Sequence, residues 1–351
     1  MRRNQVIKTF QIATVPSCGP EGRAEDVVHC RALHRESFRL PYDEKRWHVL
    51  PELWRALVRD GTMHLFLVEN RAGTPGSRIV SFGATAFVTD EFCSETRSVL
   101  PPYLGLQMAR RYLSHDLPIL SHRQVAQSNA GDSLNVLVCF EGSEYGGLSR
   151  EQILAAREKQ DEAFHLAHSG YRVKEFLAEP IGEVALQWML DAGARFRRDY
   201  SGYYQSHRRL TPDSSQRPRL VGLTKEEAFA KCGCHISSMF AHTSPRFHFN
   251  RSEQMLLHHA LMGETSDELA GSLFISPWTA KKRWHAIYQR VADVDRELLL
   301  PAVANGSHGT SRGAERRRHL LHYLRRHLEE LRPVGRESFE DRVVRRSRRS
   351  E

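Results

Sequence analysis

Four cationic side chains lie in a stretch that has no acidic residue. Lys281, Lys282, Arg283 and Arg290 all fall within residues 276–292, and no aspartate or glutamate interrupts that range. Lysine and arginine side chains bond guanine edges and phosphate oxygens alike. The chemistry that this stretch could perform is therefore recognition of a nucleic acid, although a solvated basic face on an ordinary helix has the same composition.

Three helix starts fall in close succession around this stretch. Asn250 precedes Glu253 by three residues, and Thr265 precedes Glu268 by three, which is the spacing of a capping box. Ser276 is a good N-cap, and Pro277 follows it at the first helical position, where a missing amide hydrogen costs little. The sequence predicts three short helices joined by tight turns.

The third predicted helix has two different faces. Its apolar residues recur at i, i+4, i+7 and i+11 as Ala280, Trp284, Ile287 and Val291, so they should face the other two helices. Trp278, Lys281, Lys282 and His285 must then face outward. A short helix, a tight turn and a longer basic helix with a packed back face suit insertion into the major groove of DNA.

The segment from Asn250 to Tyr288 resembles the LuxR/GerE-type helix-turn-helix in an unbroken register. The resemblance implies that Thr279 touches backbone phosphate and that Lys281, Lys282 and His285 face base edges or phosphates. Arg283, Trp278 and Ala292 depart from the residues common in that family. The resemblance predicts a transcriptional regulator that binds duplex DNA, as a homodimer because one such motif reads only a few base pairs. The predicted DNA-binding residues are Trp278, Thr279, Lys281, Lys282, Arg283, His285 and Arg290.

The region before this segment alternates helical and strand patterns, which favours an α/β domain over residues 24–204. The runs 64–68 and 79–88 flank a turn-rich segment and predict a hairpin. Residues 134–140 predict a third strand, and Ser149 with Gln152 predicts a capped helix that runs to about His168. A strand at 171–177, a helix at 181–192 and a strand at 194–204 should follow.

This order of elements resembles the GNAT-type acyltransferase fold. In that family a glycine-rich loop after the central strand holds the pyrophosphate of acyl-CoA, whereas the loop 142–147 here lacks the expected basic or amide residue and contains an acid. The domain could sense a small-molecule effector, and the alternative function is an acyl-CoA-dependent N-acyltransferase with an accessory DNA-binding domain. Glu141, Glu144, Tyr145 and Tyr203 are acid-base candidates, but each such residue is more often an ordinary surface or core residue, so no catalytic residue is predicted.

The predicted fold class is α+β, with an N-terminal α/β domain followed by an all-α domain. The predicted divisions are an N-terminal extension at 1–23, the α/β domain at 24–204, a linker region at 205–248, the helix-turn-helix domain at 249–301, and a flexible break, amphipathic helix and disordered tail at 302–351. Leucines at 320, 324, 328 and 331 predict an apolar stripe on the helix 316–331, which could pack against a second copy or against the preceding domain.

Composition adds little beyond these patterns. The net charge is +9, but thirteen arginines against seven acids place +6 of it in residues 311–351, so bulk charge is weak evidence for a nucleic-acid partner. The six scattered cysteines predict reduced thiols, and Cys232 and Cys234 have no second cluster with which to form a zinc site. No cofactor, metal site or membrane segment is predicted, and the expected location is the cytoplasm.

Overall fold

The computed structural model describes residues 10–14, 29–34, 44–59, 62–70, 79–131, 133–207, 213, 216–230, 235–261, 263–299 and 312–333. The chain divides into two compact units. The first comprises Met1–Val125, Ser133–His168 and Val173–Phe240, and the second comprises Ala126–Asp132, Ser169–Arg172 and Ala241–Glu351.

The first unit is built on a mixed sheet. The described strands are β1 Phe10–Thr14, β2 Met63–Asn70, β3 Ile79–Val88, β4 Leu134–Ser143, β5 Val173–Ala178, β6 Arg195–Arg198 and β7 Leu220–Thr224. Their order in the sheet is β1-β2-β3-β4-β5-β7-β6, and β4–β5 is the parallel pair while the other neighbours are antiparallel. The hairpin β2–β3 and the following order of strand, helix and strand agree with the sequence prediction.

Helices cover both faces of this sheet. The helices up to residue 240 with defined bounds are α1 Glu44–Arg59, α2 Asp90–Ser98, α3 Leu104–Leu113, α4 His122–Ala130, α5 Arg150–His168, α6 Glu183–Asp191, α7 Ser201–Ser206 and α8 Lys225–Ala230, followed by a 3₁₀ helix at His235–Phe240. Residues 29–34 are also helical, and most of α4 belongs to the second unit. The larger core joins one sheet face to α1, α2 and α3 around buried Trp54, Phe82 and Phe140. On the opposite face, Ala155 and Ala156 of α5 pack against Val68 and Val80. Truncating Phe140 to alanine should cost about 3–5 kcal/mol, as for other buried aromatic residues.

The capping chemistry of α5 follows the prediction. The Ser149 amide donates to the Gln152 side-chain oxygen at 2.9 Å, and the Gln152 amide donates to Ser149 Oγ at 3.3 Å. These two bonds satisfy amides that the first turn of a helix leaves without intrahelical partners. The reciprocal pair therefore sets the point at which the loop after β4 becomes helix.

The central strands β4 and β5 separate before β4 ends. Their parallel pairing runs from Leu134↔Val173 to Leu137↔Leu177, while β4 continues to Ser143. On its other edge β4 carries an extra residue, because Thr85 pairs with Val138 and the next residue, Ala84, pairs with Phe140. A bulge of this kind bends the strand and increases its twist. Beyond Leu137, β4 therefore has no ladder pairing with the described residues of β5.

Three segments of the first unit differ from the sequence prediction. Residues Phe10–Thr14, expected in an N-terminal extension before the domain, form β1 and pair with β2. The strand expected at 194–204 ends at Arg198, because Tyr200 takes a left-handed backbone conformation with φ of 58° and α7 begins at Ser201. The region 205–248, predicted as linker, contains β7, which pairs with β5 on one side and β6 on the other. Its five residues lie beside Pro218 and several polar residues, and these neighbours obscure the strand pattern in the sequence.

The second unit contains the three helices that the capping pattern predicts, α9 Arg251–Leu261, α10 Ser266–Ser272 and α11 Pro277–Val294. The side chains of Asn250 and Glu253 exchange hydrogen bonds with each other's backbone amides, and Thr265 with Glu268 forms a complete capping box. The Ser276 side chain accepts from the Thr279 amide at the start of α11. Each cap stands where the sequence predicts it.

The remaining elements of this unit are a 3₁₀ helix at Glu297–Leu299, helix α12 Arg312–Leu324 and a 3₁₀ helix at Leu328–Leu331. The helix expected over 316–331 therefore ends at Leu324 and resumes only as a 3₁₀ turn. Leu320, Leu324, Leu328 and Leu331 are all buried within the chain itself. This burial matches packing against the chain's own fold, and it removes the proposed leucine stripe as a free surface for a second copy.

Two further findings concern the described residues alone. No helix among them is long and apolar enough to cross a membrane. No group of three or more histidine, cysteine, aspartate or glutamate side chains among them could hold a metal ion. Cys232 and Cys234, the N-terminal extension apart from Phe10–Thr14, most of the flexible break and the charged tail lie outside the described residues.

Candidate active site and candidate DNA-binding face

Glu141 lies near the end of β4, past the last residue pair with β5. Burial raises the pKa of its carboxyl from 4.5 to about 7, and burial is the sole cause of this rise. A carboxyl with this pKa is divided between its neutral and ionised forms near neutral pH. It can therefore both accept and return a proton, as an acid-base catalyst must.

Two cavities meet at this end of β4. One, of about 70 Å³, lies on the sheet face covered by α5 and α6, and its wall includes Phe164, Phe176, Trp188 and Met189. The other, of about 30 Å³, lies on the opposite face, at the start of α3, where Tyr103, Leu104 and Gly105 form its wall. Val138 and Glu141 line both cavities. The separation of β4 from β5 thus places one carboxyl between a mostly apolar cavity and a more polar one.

A second carboxyl lines the smaller cavity. Glu179 follows the last residue of β5 and accepts hydrogen bonds from the amides of Tyr103, at 3.1 Å, and Leu104, at 2.7 Å, where α3 begins. Burial raises the pKa of Glu179 to about 7, the negative charge of Glu141 adds to the rise, and hydrogen bonds from Tyr200 and the two amides oppose it. The charge of ionised Glu141 therefore makes Glu179 harder to ionise.

His34 completes the polar wall of the smaller cavity. Its Nδ1 donates to the carbonyl oxygen of Glu141 at 2.7 Å. The rings of Trp54, Phe82 and Phe140 meet it edge to face. Burial lowers the pKa of His34 to about 4, so the ring is neutral at physiological pH. It positions the backbone of Glu141 and adds no positive charge that would bind an anion.

The structure separates Glu141 from the other acid-base candidates of the sequence. Glu144 is exposed, and its carboxylate accepts from the Gly146 amide at 2.9 Å. Tyr145 packs against the α5 face of the sheet with the Arg157 guanidinium 5.7 Å from its ring centroid. Tyr203 stacks on His207, with ring centroids 4.2 Å apart. Neither of the two cavities is lined by any of these three residues.

Sequence reasoning missed Glu179 and His34. Glu179 follows a predicted strand by two residues, and acids at the carboxyl ends of two parallel neighbouring strands meet at one edge of a sheet. This relation between the two acids could be recognised only once the strand order of the sheet was known. His34 is separated from Glu141 by 107 positions, and no local pattern joins them.

The exposed face of α11 carries most of the predicted DNA-binding residues. Trp278, Lys281, Lys282 and His285 are exposed, and Ala280, Trp284, Ile287 and Val291 are buried, as the periodicity predicts. The Lys282 ammonium lies 3.9 Å from the centroid of the Trp278 ring, a cation–π contact.

The other three predicted residues are less available. Thr279 is half-buried, and its hydroxyl lies 2.9 Å from that of Ser276. Arg283 is also half-buried. Arg290 forms an ion pair with the buried carboxylate of Glu253, at 3.2 Å, and so ties α11 to α9. Contact of these residues with DNA stays a prediction, and for Arg290 it would compete with this ion pair.

No family model and no curated protein matches the chain. Among solved structures, Arabidopsis thaliana NAA60 in complex with acetyl-CoA matches with 12% identity and a TM-score of 0.37, covering 62% of this chain and 98% of the other. The C-terminal condensation domain of Ebony in complex with beta-alanyl-dopamine matches with 12% identity and a TM-score of 0.37, covering 61% and 98%. Spermidine/spermine N-acetyltransferase SpeG from Vibrio cholerae matches with 11% identity and a TM-score of 0.32, covering 65% and 99%. These scores are too low to establish a shared fold or activity.

Proposed function

We propose that the first unit is an N-acyltransferase that moves an acyl group from a coenzyme A thioester to an amine. The observation that carries this proposal is the position of Glu141, a carboxyl with a pKa of about 7 that lines cavities on both faces of the sheet where β4 and β5 separate. The strand order and the long helix after β4 are also those that the GNAT-type resemblance implies.

The two cavities suit the two substrates of such a reaction. The larger cavity is walled mainly by apolar side chains and lies between helices, so its lining suits the acyl end of a coenzyme A thioester, although its volume of about 70 Å³ means that it must widen to admit the pantetheine chain. The smaller cavity, of about 30 Å³, is lined by two carboxyls and, among the described residues, by no lysine or arginine, so it suits the ammonium end of an amine. Backbone groups of β4 between Leu137 and Glu141, where the described residues of β5 no longer pair with the strand, could pair with the amides of pantetheine, apart from the Glu141 carbonyl that His34 binds.

The proposed reaction needs one proton acceptor. Ionised Glu141 takes a proton from the bound ammonium, and the resulting neutral amine attacks the thioester carbonyl carbon. A carbon–nitrogen bond forms, the carbon–sulfur bond breaks, and the sulfur leaves as a thiol after taking up the second amine proton. Glu179 contacts the acceptor cavity and holds the start of α3, so it would position the amine.

The loop before α5 fits the diphosphate of coenzyme A less well. The Gly146 amide, which would otherwise face a phosphate, already binds the Glu144 carboxylate. Ser149 and Gln152 use their amides in the cap of α5. Positive charge nearby comes from Arg150 and Arg157. The chain's own residues thus favour the pantetheine part of the donor over its diphosphate.

The test is an acyl-transfer assay on the full chain with acetyl-CoA and a panel of primary amines, following thiol release. We expect kcat/KM to rise with pH as Glu141 ionises near pH 7, and Glu141→Gln to lose on the order of 10²–10⁴ in rate. Glu91→Gln is the matched control, because Glu91 is an exposed acid of α2 and lines neither cavity. No turnover with any amine, or full activity of Glu141→Gln, would refute the proposal.

A second function rests on the exposed basic face of α11. We propose that the second unit binds duplex DNA through this face, because Lys281, Lys282 and His285 are exposed beside one another with no acid from residue 276 to 292. The short helix α10 and the tight turn before α11 supply the arrangement that major-groove binding uses. A LuxR-type regulator remains our interpretation of this arrangement.

Binding titrations against a duplex selected from a random pool and against a scrambled duplex test this second proposal. Lys281→Ala or Lys282→Ala should weaken binding to the selected duplex by about 1–3 kcal/mol and reduce the preference for it. Lys225→Ala, which removes a lysine of α8 in the first unit, should change neither. Equal losses on both duplexes would mean that α11 does not read sequence.

A further inference from the structure

Two large aromatic side chains at the start of α11 are exposed to solvent. Phe274, in the turn before the helix, is 66% exposed, and Trp278, in its first turn, is 64% exposed. The apolar residues further along α11, such as Trp284 and Ile287, are buried. Scattered exposed apolar residues need no explanation, but two exposed aromatic residues four positions apart, one in the turn before a basic helix and one in its first turn, do need one, and they are called the patch below.

The backbone at Phe274 makes this exposure more unusual. Phe274 has a φ of 51°, a left-handed conformation that bulky residues rarely adopt. Its amide donates to the Gly271 carbonyl at 3.1 Å, and the next amide donates to Ala270 at 3.0 Å, so it occupies the turn that ends α10. Glycine or asparagine is preferred at such a position. The phenylalanine is therefore held at a cost to folding without the gain of burial.

Charge around the patch is positive. Lys282 stacks over the Trp278 ring, Lys281 is exposed next to it, and no acid occurs from residue 276 to 292. A polyanion that also presents apolar groups would complement both the positive charge and the exposed aromatic rings. In the major groove of DNA, the apolar group at the base edges is the 5-methyl of thymine.

We infer that Phe274 and Trp278 contact thymine 5-methyl groups in the major groove, so that the second unit discriminates thymine by its methyl group. This inference rests on the proposed binding of duplex DNA. The first turn of a recognition helix is the part that reaches base edges, and both residues lie there or directly before it. Lys281 and Lys282 would supply the polar contacts beside them.

The experiment compares the selected duplex with versions in which deoxyuridine replaces thymine at one position at a time. Deoxyuridine lacks the methyl group and keeps every hydrogen-bonding group of the base edge. The full chain should lose about fourfold in affinity at each contacted position, the value of one buried methyl group. Trp278→Ala should bind the thymine and deoxyuridine duplexes equally at the position that it contacts.

Two further variants separate recognition from folding. Phe274→Gly should weaken discrimination at its own thymine without lowering the melting temperature, because glycine suits the left-handed backbone. Phe229→Ala is the matched control, because Phe229 is 57% exposed beside Lys225 in the first unit, and it should leave discrimination unchanged.

The outcomes are distinguishable. Equal affinity of the unmodified chain for all deoxyuridine duplexes, or unchanged discrimination in both Trp278→Ala and Phe274→Gly, would overturn this inference and leave DNA binding intact. Absence of binding to any duplex would overturn the DNA-binding proposal and the inference together.

Discussion

Replacing Glu141 with glutamine should make the protein more stable at high pH. In the folded chain burial raises the pKa of this carboxyl from 4.5 to about 7. Between these two values the unfolded chain releases the proton while the folded chain still binds it. Glu141 therefore costs the folded chain no stability below about pH 4.5. Its destabilising effect grows as the pH rises from 4.5 to about 7 and stays constant above that.

The size of the effect follows from the two pKa values. The difference between 4.5 and about 7, at about 1.36 kcal/mol for each pH unit, amounts to on the order of 3 kcal/mol. Glutamine has nearly the same shape and does not ionise, so Glu141→Gln avoids this loss. The ionisation of Glu179 and His34 contributes to both proteins, and the comparison of wild type with variant largely cancels it.

The assay is denaturant unfolding of both proteins at about pH 4.5 and at about pH 8, analysed for the free energy of unfolding. Relative to wild type, Glu141→Gln should gain on the order of 3 kcal/mol between the two conditions. Glu144→Gln, at an exposed position directly after β4, should show little gain. If the variant gains nothing between these conditions, Glu141 is not a desolvated carboxyl and the reasoning for its role as a base is wrong.

Three other predictions concern separate parts of the chain. Glu144→Gln should tighten binding of acetyl-CoA but not of acetyl-pantetheine, because it removes a negative charge from the loop that would face the diphosphate, and calorimetry on both ligands would show equal changes if the loop plays no such part. Arg290→Ala should destabilise the second unit by about 2–3 kcal/mol, since it leaves the buried Glu253 carboxylate without its cation, and a loss below about 0.5 kcal/mol in unfolding experiments would contradict this. The chain should be a dimer on DNA, and sedimentation that finds a monomer both free and bound would exclude the predicted homodimer.

The helices of the second unit were predictable because their information is local. At each helix start, the side chain of Asn250, Thr265 or Ser276 accepts a hydrogen bond from the backbone amide three residues later. The sequence alone therefore predicts where α9, α10 and α11 begin. The same holds for Ser149 and α5. A cap bonds within one turn, and its energy does not depend on the rest of the fold.

The candidate active site was only partly predictable because its contacts are distant in sequence. Glu141 was a candidate by position after a strand, but its pKa depends on burial by α3, α5 and residues near His34. Strand β7 was missed because its place between β5 and β6 depends on pairing with Phe176 and Phe196, not on its own five residues. Whether such a short segment forms a strand or a loop depends on the tertiary contacts that it makes.

A comparison with two other buried acids of this chain supports the proposed catalytic role of Glu141. Glu253 is buried with Arg290 beside it, and the Glu330 carboxylate accepts hydrogen bonds from the amides of Arg246 and Phe247. Such partners offset the cost of desolvating a charge, and these two acids hold helices and turns together. Burial raises the pKa of Glu141, and no cation or amide among the described residues lowers it. A carboxyl that costs stability, has no such partner among these residues and lines two cavities has the features that the proposed catalytic base requires.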